Sequence, residues 1–249
     1  MAKQQSLAAQ SGALSAPAFD LPAVFSAPQT EIKAREVSPY VTFAHPNRKD
    51  EWAKLVGKLG TVNEGDMFLM MQDNFVKLDK MKCYWLRGEQ YWARTNASGE
   101  VLETSLKELP HPWKEHIEAV VLVILDDRIV PANIQFRTTK CPAGKVLHDA
   151  LSEAQTPGWL DKSPQHKETG IVTQPFFRFY GLLELSPQRT SRASGLPYRT
   201  TVCTVHPTGM SDWRLIEAFS KDPECNKALT KAAERFEFRR NEVKSKLVK

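Results

Sequence analysis

Apolar and polar residues alternate most clearly between Phe176 and Leu185. Phe177, Phe179, Gly181, Leu183 and Leu185 fall on one side, and Arg178, Tyr180 and Glu184 on the other. That is the period of two expected of a half-buried strand. A second aromatic and β-branched run, Tyr198 to His206, follows the polar connection from Ser186 to Gly195. The pattern predicts a hairpin with a long basic tip carrying Arg189 and Arg192, with Arg199 on the return strand. Gly181 interrupts the apolar side, as expected where a strand bends sharply in a small barrel.

Upstream, order is expected from about Val37-Ser38-Pro39-Tyr40. Asp50 to Val56 reads as a short helix with Asp50 as its cap, stopped by Gly57 or Gly60. Short strands follow at Met67 to Met71 and Phe75 to Leu78. Met81 to Thr95 then reads as a hairpin whose turn is Gly88-Glu89. That register sets Trp85 opposite Trp92, with Arg87 and Arg94 on the same face.

Ile117 to Leu125 is the most apolar stretch and is expected to be a buried strand. Arg128 to Lys140 pairs with it, Ile134 and Phe136 pointing one way and Asn133, Gln135 and Arg137 the other. Pro131 implies an edge or a bulge there. Ala143 to Ala154 is a helix with Leu147 and Leu151 inward. Ser211 is expected to cap a helix reaching Phe219, and Asp222-Pro223 to open another reaching towards Val248. In that last helix Leu229, Ala233, Phe236, Val243 and Leu247 form the apolar stripe. Lys227, Lys231, Arg235 and Arg239 form a cationic one, read as a solvated face.

Composition alters this picture little. The chain of 249 residues has a net charge of +5, so it is mildly basic, and the placement of charge matters more than its sum. Cys83, Cys141, Cys203 and Cys225 lie far apart with no C-x-x-C pair, which argues against a disulfide framework or structural zinc and for a reducing compartment. The N-terminal residues lack a basic-then-apolar signal pattern and no apolar run has membrane-span length, so an intracellular, cytoplasmic protein is expected. Three regions follow: residues 1–36, rich in Ala, Gln, Ser and Pro and expected to be flexible; a mainly β domain over 37–208; and a helical extension over 209–249.

Enzyme signatures fail on inspection. Ala143-Gly144-Lys145-Val146 lacks the upstream glycine and the following Ser/Thr of a phosphate-binding loop. Cys141 with His148 is near in sequence only, and His111 with His116, or Cys203 with His206, lacks a second ligand pair for zinc. No catalytic residue, cofactor or metal is expected.

Strands in quick succession, a helix between the third and fourth major ones, and a closing basic-tipped hairpin resemble the oligonucleotide/oligosaccharide-binding (OB) barrel, a Greek-key fold. Over about Asp66 to His206 the order is similar to the elaborated barrels of phage-type single-stranded DNA-binding proteins. Unlike many of those, this chain is basic at Arg239 to Lys249, which argues against partner recruitment through an acidic tail.

The resemblance implies a non-enzymatic, sequence-tolerant binder of single strands in DNA replication, recombination or repair. Trp85, Trp92 and Tyr180 are the expected stacking groups. Arg87, Arg94, Arg137, Arg178, Arg189, Arg192 and Arg199 are the expected phosphate contacts. The expected partners are single-stranded nucleic acid, DNA before RNA, and a second copy or a replication or recombination protein, with no membrane. The competing readings are that the tryptophans are core and the basic tip a solvated loop. The chain would then be a protein-interaction or assembly subunit.

Overall fold

The apolar stretch that begins at Ile117 lies at the centre of a nine-stranded sheet, in a computed structural model that describes residues 38–72, 74–96, 100–126, 128–137, 140–154, 179–190 and 197–248. The expectations for residues 1–36, for Arg178 and Arg192 and for the Leu151 side chain lie outside what it describes. The first half of the chain forms β1 (Tyr40–Phe43), α1 (Lys49–Leu59), β2 (Met67–Met70), β3 (Phe75–Leu78), β4 (Lys80–Thr95) and β5 (Val101–Ser105). Then come β6 (Lys114–Leu125), β7 (Arg128–Arg137), α2 (Cys141–Ala154), β8 (Phe179–Leu185), β9 (Arg189–Thr190), β10 (Pro197–Tyr198) and β11 (Thr201–Pro207). Two helices close the chain, α3 (Met210–Lys221) and α4 (Pro223–Ser245).

The sheet runs β11-β8-β4-β6-β7-β1-β2-β3, with β5 also beside β4, and curls into a half-barrel. It is mixed, because β1 lies parallel to β7 while the other pairs are antiparallel. Mainly β structure with helices is therefore correct. The long hairpin is present too, Tyr180 opposite His206 and Leu185 opposite Thr201, extended by the β9–β10 ribbon. Pro131 pairs with Leu122 on one side, and β1 reaches only Asn133 and Ile134 on the other, so β7 is locally an edge at the proline.

The Met81–Thr95 hairpin is not formed. Residues 80–95 make one bulged strand, because β6 is long enough to pair with both halves: Trp85 faces Val121, Arg87 faces Val120 and Gly88 faces Ala119. A turn at Gly88 would forfeit that ladder. The glycine serves another need, since a side chain there would overlap the Trp85 ring. Gly181 marks the place where the Leu147 side chain of α2 lies against β8. Gly181→Ala is expected to destabilise the fold by about 1–3 kcal/mol through overpacking. Leu147→Ala in the same chain should recover part of that loss, and denaturant midpoints of the three variants measure it.

Register gives the sheet two faces. Trp85, Val121, Ile134, Phe136, Val41 and Leu69 share one, on which α2 packs, Phe136 lying beside Gly144. The other face is covered in pieces. Leu55 and Trp52 of α1 meet Phe68 and Met70, while Leu229, Ala232 and Phe236 of α4 join the main core. Residues 210–245 thus pack on the sheet. Caps shift slightly from expectation: α1 starts one residue before Asp50, which sits in its acidic first turn, and α3 follows Gly209, whose N–H donates to the Asp212 carboxylate (3.3 Å). Asp222 does cap α4, accepting from the Glu224 N–H (2.9 Å). Among the described residues no helix is long and apolar enough to cross a membrane.

Candidate nucleic-acid interface

The face opposite α2, which α1, α3 and α4 cover in part, is left open at β8 and β11. Alternation puts Tyr180, Leu182 and Glu184 of β8 on this side, opposite His206, Thr204 and Val202 of β11. Lys80 and Lys82 of β4 face Glu184 and Leu182. Thr204 and Val202 are exposed, Val202 at 55%. The Tyr180 and His206 rings stack at 5.4 Å with 25° between their planes. Lys82 Nζ lies 4.1 Å from the centre of the Tyr180 ring, and Tyr84 meets that ring edge-on at 6.3 Å.

Each group is positioned by something behind it. Lys82 is held by the Asp212 carboxylate at 2.5 Å, so the start of α3 fixes the cation beside the ring. Lys80 pairs with Glu184 at 2.6 Å. The His206 imidazole and the Thr204 hydroxyl are 2.9 Å apart. Burial pushes the Tyr84 phenol above its usual range, so it stays neutral beneath the patch. The result is a rigid strand surface with two stacked rings, two lysines and a hydroxyl, leading into the ribbon that carries exposed Arg189 opposite Tyr198.

The sequence-expected residues do not gather here as a set. Among the described ones, only Tyr180 and Arg189 belong to this hairpin surface. Trp85 is 2% exposed, stacks on Phe136 at 6.3 Å and meets His148 edge-on, so it is a core residue. Trp92, half-buried, is seven residues along the same strand, roughly 20 Å at the usual strand rise. The expected Trp85–Trp92 pair rested on the turn at Gly88 and disappears with it.

Arg87 has turned to the opposite face and pairs with Glu237 of α4 at 3.2 Å, while Arg94 pairs with Glu103 of β5 at 2.7 Å. Arg199 is a structural anchor: its guanidinium lies 3.4 Å from Asp79 and 3.7 Å from buried Asp66, and its carbonyl accepts from Lys140 Nζ at 2.6 Å. Burial pulls that lysine down to about 8. Arg137 sits apart, between β7 and α4.

Lys82, His206 and Thr204 were missed as site residues. From sequence, His206 reads only as a metal-ligand candidate with Cys203. Its place opposite Tyr180 was readable only once the hairpin register was known, and a connection as long as Ser186 to Thr200 does not fix that register by itself. Cys203 is buried and its thiol is pushed up to about 12 by burial. Cys141 Sγ donates to the Glu115 carbonyl (3.0 Å). Among the described residues no group of three or more His, Cys, Asp or Glu side chains is placed to hold a metal ion.

No family model matches this chain, and neither a curated protein nor a solved structure matches it.

Proposed function

We propose that the chain is a non-enzymatic binder of single-stranded nucleic acid, DNA before RNA, acting where strands are exposed in replication, recombination or repair. The observation that carries this reading is the open β4–β8–β11 face, with the stacked Tyr180–His206 rings, Lys82 beside them and the Arg189 ribbon beyond. Bases stack on such rings whatever their identity, and cations follow the backbone. Rigid strands suit the task better than loops.

The element order supports it. A long bulged strand paired on both edges, a helix between the third and fourth main strands and a closing hairpin are the parts of an OB-like barrel, here β4, β6, β7, α2, β8 and β11. In this chain β1 occupies the free edge of β7 in parallel, so the sheet stays an open half-barrel.

Titration of a labelled oligonucleotide at several salt concentrations tests the reading. Single strands are expected to bind more tightly than duplex, because stacking needs unpaired bases. Tyr180→Ala and His206→Ala each remove about 1–3 kcal/mol of stacking with little change in salt slope. Arg189→Ala lowers that slope by about 0.7 for one lost single-strand phosphate contact. Equal affinity for duplex, or none for either, ends this proposal and moves the interaction-subunit reading ahead, with exposed Val202 and Phe238 as its first contacts.

A further inference from the structure

A second cationic feature lies on the same side of the sheet but under the helices. A cleft of about 350 Å³ opens between β1, the start of α1, β7 and α4, near the lower end of the roughly 300–1,000 Å³ usual for ligand sites. Its walls carry four guanidinium groups, Arg48, Arg137, Arg235 and Arg239, against two carboxylates, Glu51 and Glu118, so its formal charge is 4 − 2 = +2.

The carboxylates are already engaged. Glu51 accepts from the Thr42 hydroxyl (2.9 Å) and pairs with Arg48 (3.4 Å). Glu118 accepts from the Tyr91 hydroxyl (2.9 Å) and from Gln135, and pairs with Arg239 (3.5 Å). Two cations are left over. Among the described residues Arg235 donates to the Ser38 carbonyl (3.4 Å) and lies over the Tyr40 ring (5.4 Å), with no ion pair. The Arg137 guanidinium has no hydrogen bond or ion pair among the described residues, and its Nε is shut off from solvent without a partner. Burial and the nearby Arg48 charge pull it below the usual arginine range.

A partly buried, unpaired guanidinium is costly unless something else neutralises it. It does not tether α4, since it bonds to nothing there. The cationic stripe expected to be solvated is so only at its start: Lys227 is exposed, whereas Arg235 and Arg239, one turn apart, are half-buried against the sheet. Three elements therefore aim planar, fork-shaped donors into one cleft, the geometry that suits a phosphate.

We propose that this cleft binds a phosphate monoester. A monoester carries close to two negative charges at neutral pH, matching the cleft's +2 better than the single charge of an internal diester. Two sources share that chemistry, the phosphorylated end of a strand and a free nucleotide. Only the first of them rests on the single-strand reading.

The test has an arm for each. Inorganic phosphate is compared with sodium chloride at equal ionic strength in thermal melts of wild type, Arg137→Gln, Arg235→Gln and the distant Arg189→Gln. Phosphate stabilises proteins generally by exclusion, and all four share that rise. An additional rise in wild type and Arg189→Gln, lost in Arg137→Gln, is expected. Should Arg137→Gln not fold, Arg235→Gln decides in its place. The same rise in all four overturns the site.

For the source, oligonucleotides phosphorylated at either end are compared with an unphosphorylated one. At least tenfold tighter binding of a phosphorylated end, abolished in the cleft variant, assigns the strand terminus. Adenosine 5′-monophosphate binding to wild type but not to the variant, without an end effect, assigns the free nucleotide. The absence of both effects overturns the monoester assignment. Binding of the unphosphorylated strand reports on the single-strand reading alone, so the two can fail separately.

Discussion

Trp85→Ala is expected to lower stability by about 3–5 kcal/mol, the usual cost of emptying a buried aromatic site. Trp85 is 2% exposed and its ring lies between Phe136, His148 and the backbone at Gly88. Little can collapse into the space, because β4 is pinned to β6 on both sides of the bulge. For a fold of this size each kcal/mol shifts the melting temperature by about 2–4 °C, so a fall of roughly 6–20 °C follows. Trp92→Ala is the comparison. Half-buried at the far end of the strand, it should cost much less. Similar melting temperatures for the two variants would overturn the core assignment and restore Trp85 as a stacking candidate. Gly88→Ala drives a methyl group into the same ring, so its cost should shrink when combined with Trp85→Ala.

Acid should destabilise the fold before its carboxylates titrate, and His116 is the reason. It is 2% exposed, lies opposite Arg137 in the β6–β7 ladder and packs on the Tyr91 ring at 5.3 Å. Burial, and then the charges of Arg137, Lys114 and Arg239, lower its pKa to about 3. In the unfolded chain it titrates near 6.5. Below that pH the unfolded state takes up a proton that the folded state refuses. The stability is thus fully present above pH ~6.5 and drains away as pH falls towards 3. At pH 5 the loss is about 2 kcal/mol from this residue alone. The melting temperature of wild type should fall between pH 7.5 and pH 5 by roughly 4–8 °C more than that of His116→Phe. Each protein is referenced to itself at pH 7.5, which removes any packing cost of the substitution. Identical falls in both would show that His116 is protonated in the fold.

His116 and Arg137 are linked in a further way. The arginine that lowers the histidine pKa makes no ion pair among the described residues of the cleft, so an anion bound there should relieve both. Monoester binding and tolerance of mild acid are therefore expected to rise together.

The sequence alone determined the features that depend on near neighbours. Strand alternation at Phe179–Leu185 was legible because a two-residue period survives whatever packs on it, and the burial pattern follows it. The buried centre at Ile117–Val123, the Asp222-Pro223 helix start and the apolar stripe of α4 were legible for the same reason. Tertiary structure decided what two distant segments do to one residue. A glycine beside a strand run permits a turn, and it equally permits a ring to cross the backbone. Only the presence of β6 along both halves of β4 selects the second at Gly88. Arginines read as a basic surface were sorted in the same way: Arg87, Arg94 and Arg199 found carboxylates brought near by the fold, while Arg137 makes no ion pair among the described residues. Ion pairing is set by distances of a few ångströms across segments far apart in sequence, and no local pattern encodes those distances.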